Sequence, residues 1–214
     1  MYIGMSEENI RAALRTAEAV APSILRVDEI EKGFARGGEG DGGTSTRIFA
    51  TFLTWMQEKV KPVFVIATAN DISALPPEML RKGRFDEIFF VDLPTRRERA
   101  DIFRLHLQKR LKDPQVLGAL RITDEACAKL AEATEGFIGA EIEQVIISAL
   151  FEAFAESRAL AWSDFGRAIK STVPLCVTRA ERIGEIREWA NQRAVAASAA
   201  EQGGEARGGR ALQM

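Results

Sequence analysis

The chain has 214 residues, of which 46% are hydrophobic and 28% are charged, which is enough for one large domain or two small ones. The formal net charge of −2 argues against a nucleic-acid partner, and a single histidine excludes a zinc centre built on histidines. No apolar run is long enough to span a bilayer and the N-terminus carries no secretory signal, so we expect a cytoplasmic protein without membrane contact.

The first half of the chain alternates amphipathic helices with short apolar strands. In chain order we first predict a helix capped by Ser6 and ended by Pro22, a strand at Ser23–Val27 and a Gly-rich loop from Gly33 to Thr46. A helix ended by Pro62 and a strand at Val63–Ala67 buried on both faces follow. The last predicted strand is Ile88–Val91. This alternation indicates an α/β fold with a parallel sheet.

Beyond Pro94 the pattern becomes wholly helical. We predict a helix opened by a Thr95–Glu98 capping box, helices at Asp124–Thr134 and from Gly139 onward, a helix near Ser163, and a last helix from Thr178 to about Ala200. The predicted divisions are residues 1–94, an all-α part at 95–172, a C-terminal helix at 173–200 and a disordered tail at 201–214.

Two acidic residues, Asp28 and Glu29, directly follow the first strand, and Asn70 follows the second. Because parallel strands end at the same edge of a sheet, these side chains are expected to lie together where open α/β folds bind ligands. Asp28 suits a magnesium ion, Glu29 suits polarising a water, and an Asn amide suits orienting that water. Taken alone, the acids are better explained by a solvated strand end, and Asn70 fits an ordinary turn.

The segment from Leu80 to Asp86, Leu-Arg-Lys-Gly-Arg-Phe-Asp, adds a basic turn. Together with the acids and Asn70, it makes residues Gly4 to Trp162 resemble an AAA+ ATPase. The resemblance implies that Asp28 and Glu29 form the Walker B element, that Asn70 is the first sensor, and that Arg81 and Arg84 are arginine fingers reaching the nucleotide of a neighbouring subunit. Without the family, a basic surface turn explains the arginines.

The same resemblance extends into the helical part. His106 stands where relatives carry a histidine near the adenosine, although a structural role fits equally, and Gly139-Ala140 stands where small residues pack close to adenine. The resemblance also implies that the protein uses ATP and Mg²⁺ as cofactors, that it self-associates into a ring such as a hexamer, and that it acts on a protein client. Phe52-Leu53-Thr54-Trp55 is most similar to AAA proteins of cyanobacteria and plastids that descend from a hypothetical chloroplast reading frame, which would place the protein in the plastid stroma.

The sequence contains no Gly-x-x-x-x-Gly-Lys-Ser/Thr phosphate-binding loop. We therefore expect an incomplete P-loop AAA+ sheet, from the Walker B strand onward, followed by a helical lid, and a chain that is inactive alone. Two functions stay open: the C-terminal part of an ATPase that remodels a protein client, or a non-catalytic fragment or scaffold that supplies arginine fingers to a partner ATPase.

Overall fold

A computed structural model describes residues 3–34, 42–81 and 83–198. Contacts divide the chain into two compact units, Met1–Ile88 and Phe89–Met214, with the division six residues before Pro94. The predicted loop residues 35–41 and the predicted tail 201–214 lie outside the described residues. Within the described part, no helix combines the length and apolar character needed to cross a membrane.

The first unit is an α/β unit built on two parallel strands. Its elements are helix α1 (Ile3–Ala19), strand β1 (Ser23–Val27), helix α2 (Ile30–Phe34), helix α3 (Gly42–Glu58), strand β2 (Val63–Ala67) and a 3₁₀ turn at Ile72–Ala74. Both strands have the predicted bounds. The first helix starts at Ile3, ahead of the predicted Ser6 cap, and residues 42–46 are helical where a loop was predicted.

One face of this two-stranded sheet packs on the core of the unit. Leu25 and Val65 contact the cluster formed by buried side chains of α1, α2 and α3, including Leu14, Ile30 and Phe52. On the other face Ile24 and Phe64 are 69% and 64% exposed. The prediction that Val63–Ala67 is buried on both faces is therefore wrong within the described residues, because the helices of this unit pack on one side of the sheet only.

The second unit is mainly helical. Its elements are strand β3 (Phe89–Phe90), helices α4 (Arg96–Arg110), α5 (Pro114–Leu117), α6 (Asp124–Glu132), α7 (Gly139–Ala155), α8 (Trp162–Ser171), α9 (Leu175–Thr178) and α10 (Ala180–Arg193), and strand β4 (Val195–Ala196). The Thr95–Glu98 capping box is present as predicted. The core lies among α4, α6, α7 and α8 and contains Phe103, Leu107, Ile142, Ile146 and Phe165, all fully buried.

The strand predicted at Ile88–Val91 is short and has an unexpected partner. β3 pairs in parallel with β4, and Ala197 N–H donates to the carbonyl of Phe90 at 2.9 Å. Arg187 in α10 binds Asp92 at 2.8 Å and so holds the C-terminal segment beside this strand. The predicted last helix therefore splits into α9 and α10 and ends at Arg193, because the residues after it satisfy the backbone of β3.

Candidate functional site

The carboxyl ends of β1 and β2 lie side by side. The strands pair in register, with Val27 opposite Ala67, so that Asp28 and Thr68 are the first residues beyond them. Thr68 N–H donates to the carbonyl of Val27, and Ile30 N–H donates to the carbonyl of Thr68, both at 2.9 Å. The turn after β1 is thus fastened to the end of β2 by backbone hydrogen bonds on both sides of the two acids.

Side chains at this edge form a connected polar cluster. The amide Nδ2 of Asn70 donates to Oε1 of Glu29 at 3.0 Å, and Nζ of Lys32 donates to Oε2 of the same carboxylate at 2.6 Å. This hydrogen bond, together with the negative charge of Glu29, raises the pKa of Lys32. The structure therefore brings Asn70 to Glu29, as the strand order predicted.

The neighbouring acid, Asp28, is held by two side chains. Nη2 of Arg26 lies 2.9 Å from Oδ2 of Asp28, and the hydroxyl of Thr68 donates to Oδ1 at 3.1 Å. The Arg26 pair is largely exposed, and exposed ion pairs of this kind contribute about 0–1 kcal/mol. A competing ligand of higher charge therefore meets little resistance at this carboxylate.

Glu29 has a left-handed backbone, with φ of 50°. In a residue with a side chain this conformation costs about 1–2 kcal/mol, so neighbouring contacts must hold it. The Glu29 N–H donates to the hydroxyl of Thr68 at 3.0 Å. Nothing in the sequence marks Thr68 as a site residue, because the left-handed turn that makes its hydroxyl important has no local sequence signal.

Glu31, another residue missed from the sequence, supports Asn70. It is 6% exposed, and its Oε1 accepts a hydrogen bond from the backbone N–H of Asn70 at 3.1 Å. Its Oε2 is buried and has no hydrogen-bond partner among the described residues. Glu31 therefore fixes the backbone from which the Asn70 amide reaches Glu29.

The two predicted finger arginines lie elsewhere in the first unit. Arg81 is exposed, and Arg84 is half-buried with its guanidinium donating to the backbone carbonyl of Glu78. Gly83 between them has a positive φ of 91°, and Lys82 lies outside the described residues. Within the described part of the chain, neither arginine forms a hydrogen bond or ion pair with Asp28, Glu29 or Asn70.

The residues predicted to lie near adenosine are on two packed helices of the second unit, α4 and α7. Nδ1 of His106 lies 3.5 Å from Oε1 of Glu143, whose carboxylate also binds Arg110. Gly139 and Ala140 begin α7, where the Glu141 carboxylate accepts from the N–H of Ile138 at 2.8 Å. The start of α7 is thus closed by its own side chain.

The C-terminal segment also contacts this helix start. Leu175 N–H donates to the other oxygen of Glu141 at 2.6 Å. A Cβ added to Gly136, three residues before α7, would lie 2.3 Å from Sγ of Cys176. The turn that leads into Gly139-Ala140 is therefore packed directly against α9.

The carboxylates and the amide at the strand edge could bind a magnesium ion and a water. Oxygen ligands are what Mg²⁺ prefers, and it commonly takes one or two carboxylates from the protein and keeps several waters. Asp28 offers such a carboxylate, while Glu29 and Asn70 offer an acceptor and a donor for one water. Among the described residues, no group of three or more His, Cys, Asp or Glu side chains is placed so that it could hold a metal ion.

Comparison with known proteins finds proteins of the AAA family. Residues 1–93 match the model of the ATPase family associated with various cellular activities (AAA). The AAA domain-containing protein ycf46 of Pyropia yezoensis is 46% identical over 189 residues, which cover 88% of this chain. Residues 1–93 belong to the AAA family. A more distant relative, the cell division cycle protein 48 homolog of Archaeoglobus fulgidus, is 36% identical over 148 residues.

The fold of an AAA protein is also found by structural comparison. The FIGL-1 AAA domain, solved in complex with ADP, superposes with a TM-score of 0.73 at 20% identity, covering 90% of this chain and 65% of that one. This superposition, over 90% of the chain, confirms the predicted fold class, a partial AAA sheet followed by a helical lid. The chain spans 37% of the length of the ycf46 relative and 19% of the Archaeoglobus one.

Proposed function

We propose that this chain is part of an AAA ATPase that remodels a protein client. It would contribute the sheet edge at which ATP is hydrolysed and the helical lid. The observation that carries the proposal is the hydrogen bond from the Asn70 amide to the Glu29 carboxylate, at 3.0 Å, beside Asp28 at one sheet edge. An amide that already points at the base has the geometry to place a water between that base and a phosphate. The AAA membership of residues 1–93 supports the same role.

Each residue of the cluster has a defined task under this proposal. When bound, magnesium ATP supplies the phosphoanhydride that is cleaved and the cation that offsets its charge. Asp28 holds the ion, directly or through water, once Arg26 yields its exposed contact. Glu29 accepts the proton of the attacking water at its carboxylate, and Asn70 orients that water through its amide. The resemblance to AAA proteins assigns His106, Gly139 and Ala140 of the second unit to contact with the adenosine, and this assignment stays a prediction.

Arg81 and Arg84 act on the nucleotide of a neighbouring subunit in the proposed ring, which we expect to be a hexamer. A guanidinium stays charged and bonds phosphate oxygens in pairs, which suits this task. The half-buried Arg84 must first release the carbonyl of Glu78. The ring, the client and a location in the cytoplasm or the plastid stroma stay predictions.

Mixed assemblies test the base and the finger together. In a form of the protein that is given a phosphate-binding loop upstream of residue 1 (the restored form), we expect Glu29→Gln to lower ATP turnover by about a hundredfold or more while nucleotide binding survives, because the general base is lost and the phosphate contacts are kept. Arg84→Ala is expected to be similarly inactive. Mixing the two inactive variants should restore part of the turnover, because some interfaces then pair an intact Glu29 with an intact Arg84.

The matched control is Glu8→Gln, an exposed residue of α1, which should keep wild-type turnover. Turnover of the Glu29 variant within about tenfold of wild type, a barrier change near 1.4 kcal/mol, contradicts the general-base role. If verified mixed rings regain no ATP turnover, Arg84 has a structural role instead, through its hydrogen bond to the carbonyl of Glu78.

A second candidate is a scaffold that supplies arginines without hydrolysing ATP. Its support is the Arg26 guanidinium, which occupies the Asp28 carboxylate, and the lack of a phosphate-loop sequence in these 214 residues. Calorimetric titration of residues 1–214 with magnesium ATP is expected to show no binding, since no lysine and backbone cradle offset the phosphate charge. ATP turnover by the restored form separates the two candidates, because only the first candidate requires it.

A further inference from the structure

We propose that Thr68 is a positioning residue whose hydroxyl holds both acids of the site in their working orientation. The inference rests on the proposed function, since it concerns how Asp28 and Glu29 are aimed. It extends that function to a residue that acts through the two acids.

The hydroxyl of Thr68 uses its donor and acceptor capacity on two different residues. It donates its one proton to Oδ1 of Asp28 at 3.1 Å and accepts the N–H of Glu29 at 3.0 Å. A hydroxyl has one donor and two acceptor lone pairs, so these two bonds determine its rotation. One side chain therefore links the carboxylate of the first acid to the backbone of the second.

The Glu29 backbone is the reason why this link matters. Its φ of 50° lies in the left-handed region, which directs the Glu29 side chain differently from a residue that continues the strand. From this backbone the carboxylate meets the Asn70 amide at 3.0 Å. If the turn relaxes to an ordinary conformation, Glu29 moves off the amide, and misplacement by about 1 Å can cost a hundredfold in rate.

The backbone of Thr68 also forms hydrogen bonds that hold this turn, and these bonds do not involve its side chain. The N–H of Thr68 donates to the carbonyl of Val27 and its carbonyl accepts from the N–H of Ile30, both at 2.9 Å, and Thr68→Val and Thr68→Ser keep both groups. Because Thr68 is exposed, replacing its hydroxyl should leave folding intact. A loss of function on removing the hydroxyl then reports positioning and not unfolding.

The test compares Thr68→Val, which keeps the shape without the hydroxyl, with Thr68→Ser, which keeps the hydroxyl. The control is Thr54→Val at an exposed position of α3. In residues 1–214, without nucleotide, amide hydrogen exchange at Glu29 should speed up about tenfold in Thr68→Val and stay near wild type in the other two variants. In the restored form, kcat for ATP should fall about tenfold or more in Thr68→Val, with partial or full recovery in Thr68→Ser.

The outcomes separate this inference from the proposed function. Unchanged exchange at Glu29 in Thr68→Val overturns the positioning role, as does faster exchange with wild-type kcat. A fall in kcat that Thr68→Ser does not relieve also overturns it, because the hydroxyl is then not the cause. A wild-type protein without ATP turnover refutes the proposed function, while the exchange result still reports whether the hydroxyl holds the turn.

Discussion

Asp164 is the residue on which the start of α8 depends. Its side chain has no exposed surface. Both carboxylate oxygens accept hydrogen bonds from Arg158, one from Nη1 at 2.7 Å and one from Nη2 at 2.8 Å. It also accepts the N–H of Ala161 at 2.8 Å and contacts Arg167. A buried carboxylate is tolerated only when it is fully bonded, and these contacts meet that condition.

Replacing this carboxylate gives a pH-dependent prediction. The hydrogen bonds from Arg158 hold the pKa of Asp164 below its ordinary value. A lowered folded-state pKa adds stability above the unfolded-state pKa, and that stability is lost as the pH falls through the folded-state value. We expect Asp164→Asn to lower the free energy of unfolding by about 2–3 kcal/mol at pH 7, with a smaller difference from wild type below about pH 3.

Urea denaturation at the two pH values measures this difference. Glu181→Gln, at an exposed position of α10, serves as the control and should change stability by less than about 0.5 kcal/mol. An equal penalty for Asp164→Asn at both pH values would show that the lost acceptor oxygen, and not the lost charge, weakens the protein.

At the scale of elements, the turn between α6 and α7 decides where Gly139 and Ala140 lie. α6 ends at Glu132, and Gly136 adopts a positive φ of 78° before the chain enters α7. The Glu141 carboxylate then joins the start of α7 to the start of α9. The position of the proposed adenosine-facing residues therefore depends on the C-terminal segment as well as on their own helix.

Gly136→Ala tests this turn. The substitution meets both the left-handed backbone and Sγ of Cys176, so we expect a loss of about 2 kcal/mol or more in the free energy of unfolding. Gly166→Ala is the matched variant, since it lies in α8 with no atom within 4 Å of the added carbon. It should leave stability unchanged or raise it by up to about 1 kcal/mol. Equal thermal melting shifts for the two variants would contradict the packing described for α9.

At the scale of the whole molecule, the division between Ile88 and Phe89 assigns β3 to the helical unit. The sequence places the boundary at Pro94, where the strand pattern stops. That boundary separates Phe89–Phe90 and Asp92 from the β4 and Arg187 partners with which they bond. The difference has a measurable consequence for isolated fragments.

We expect the fragment of residues 89–198 to be more stable than the fragment of residues 95–198. The longer one keeps the β3–β4 ladder, the ion pair between Asp92 and Arg187, and the bond from Arg99 to the carbonyl of Pro94 at 2.8 Å. Together these should add about 1–3 kcal/mol to the free energy of unfolding, measured by urea denaturation. Equal stability of the two fragments would mean that β3 is not part of the helical unit in solution.

Local patterns determined much of this protein from the sequence by itself. The bounds of β1 and β2, the Thr95–Glu98 capping box and the helical periodicity after Pro94 follow from side chains close together in the chain. The proximity of Asn70 to Glu29 was also predictable, because parallel strands joined by a helix end at one edge. The motifs were enough to place residues 1–93 in the AAA family.

Only the tertiary structure decided the contacts that join distant segments. The left-handed turn at Glu29, the Thr68 hydroxyl that meets it 39 residues away, and the burial of Glu31 depend on strand register and helix packing. The same is true of the two-residue strand β4, whose Val-Ala sequence has no strand signal of its own and which forms because α10 returns the chain to β3. Local propensity cannot report such contacts, since their stabilisation arises only once the partners have been brought together by the rest of the fold.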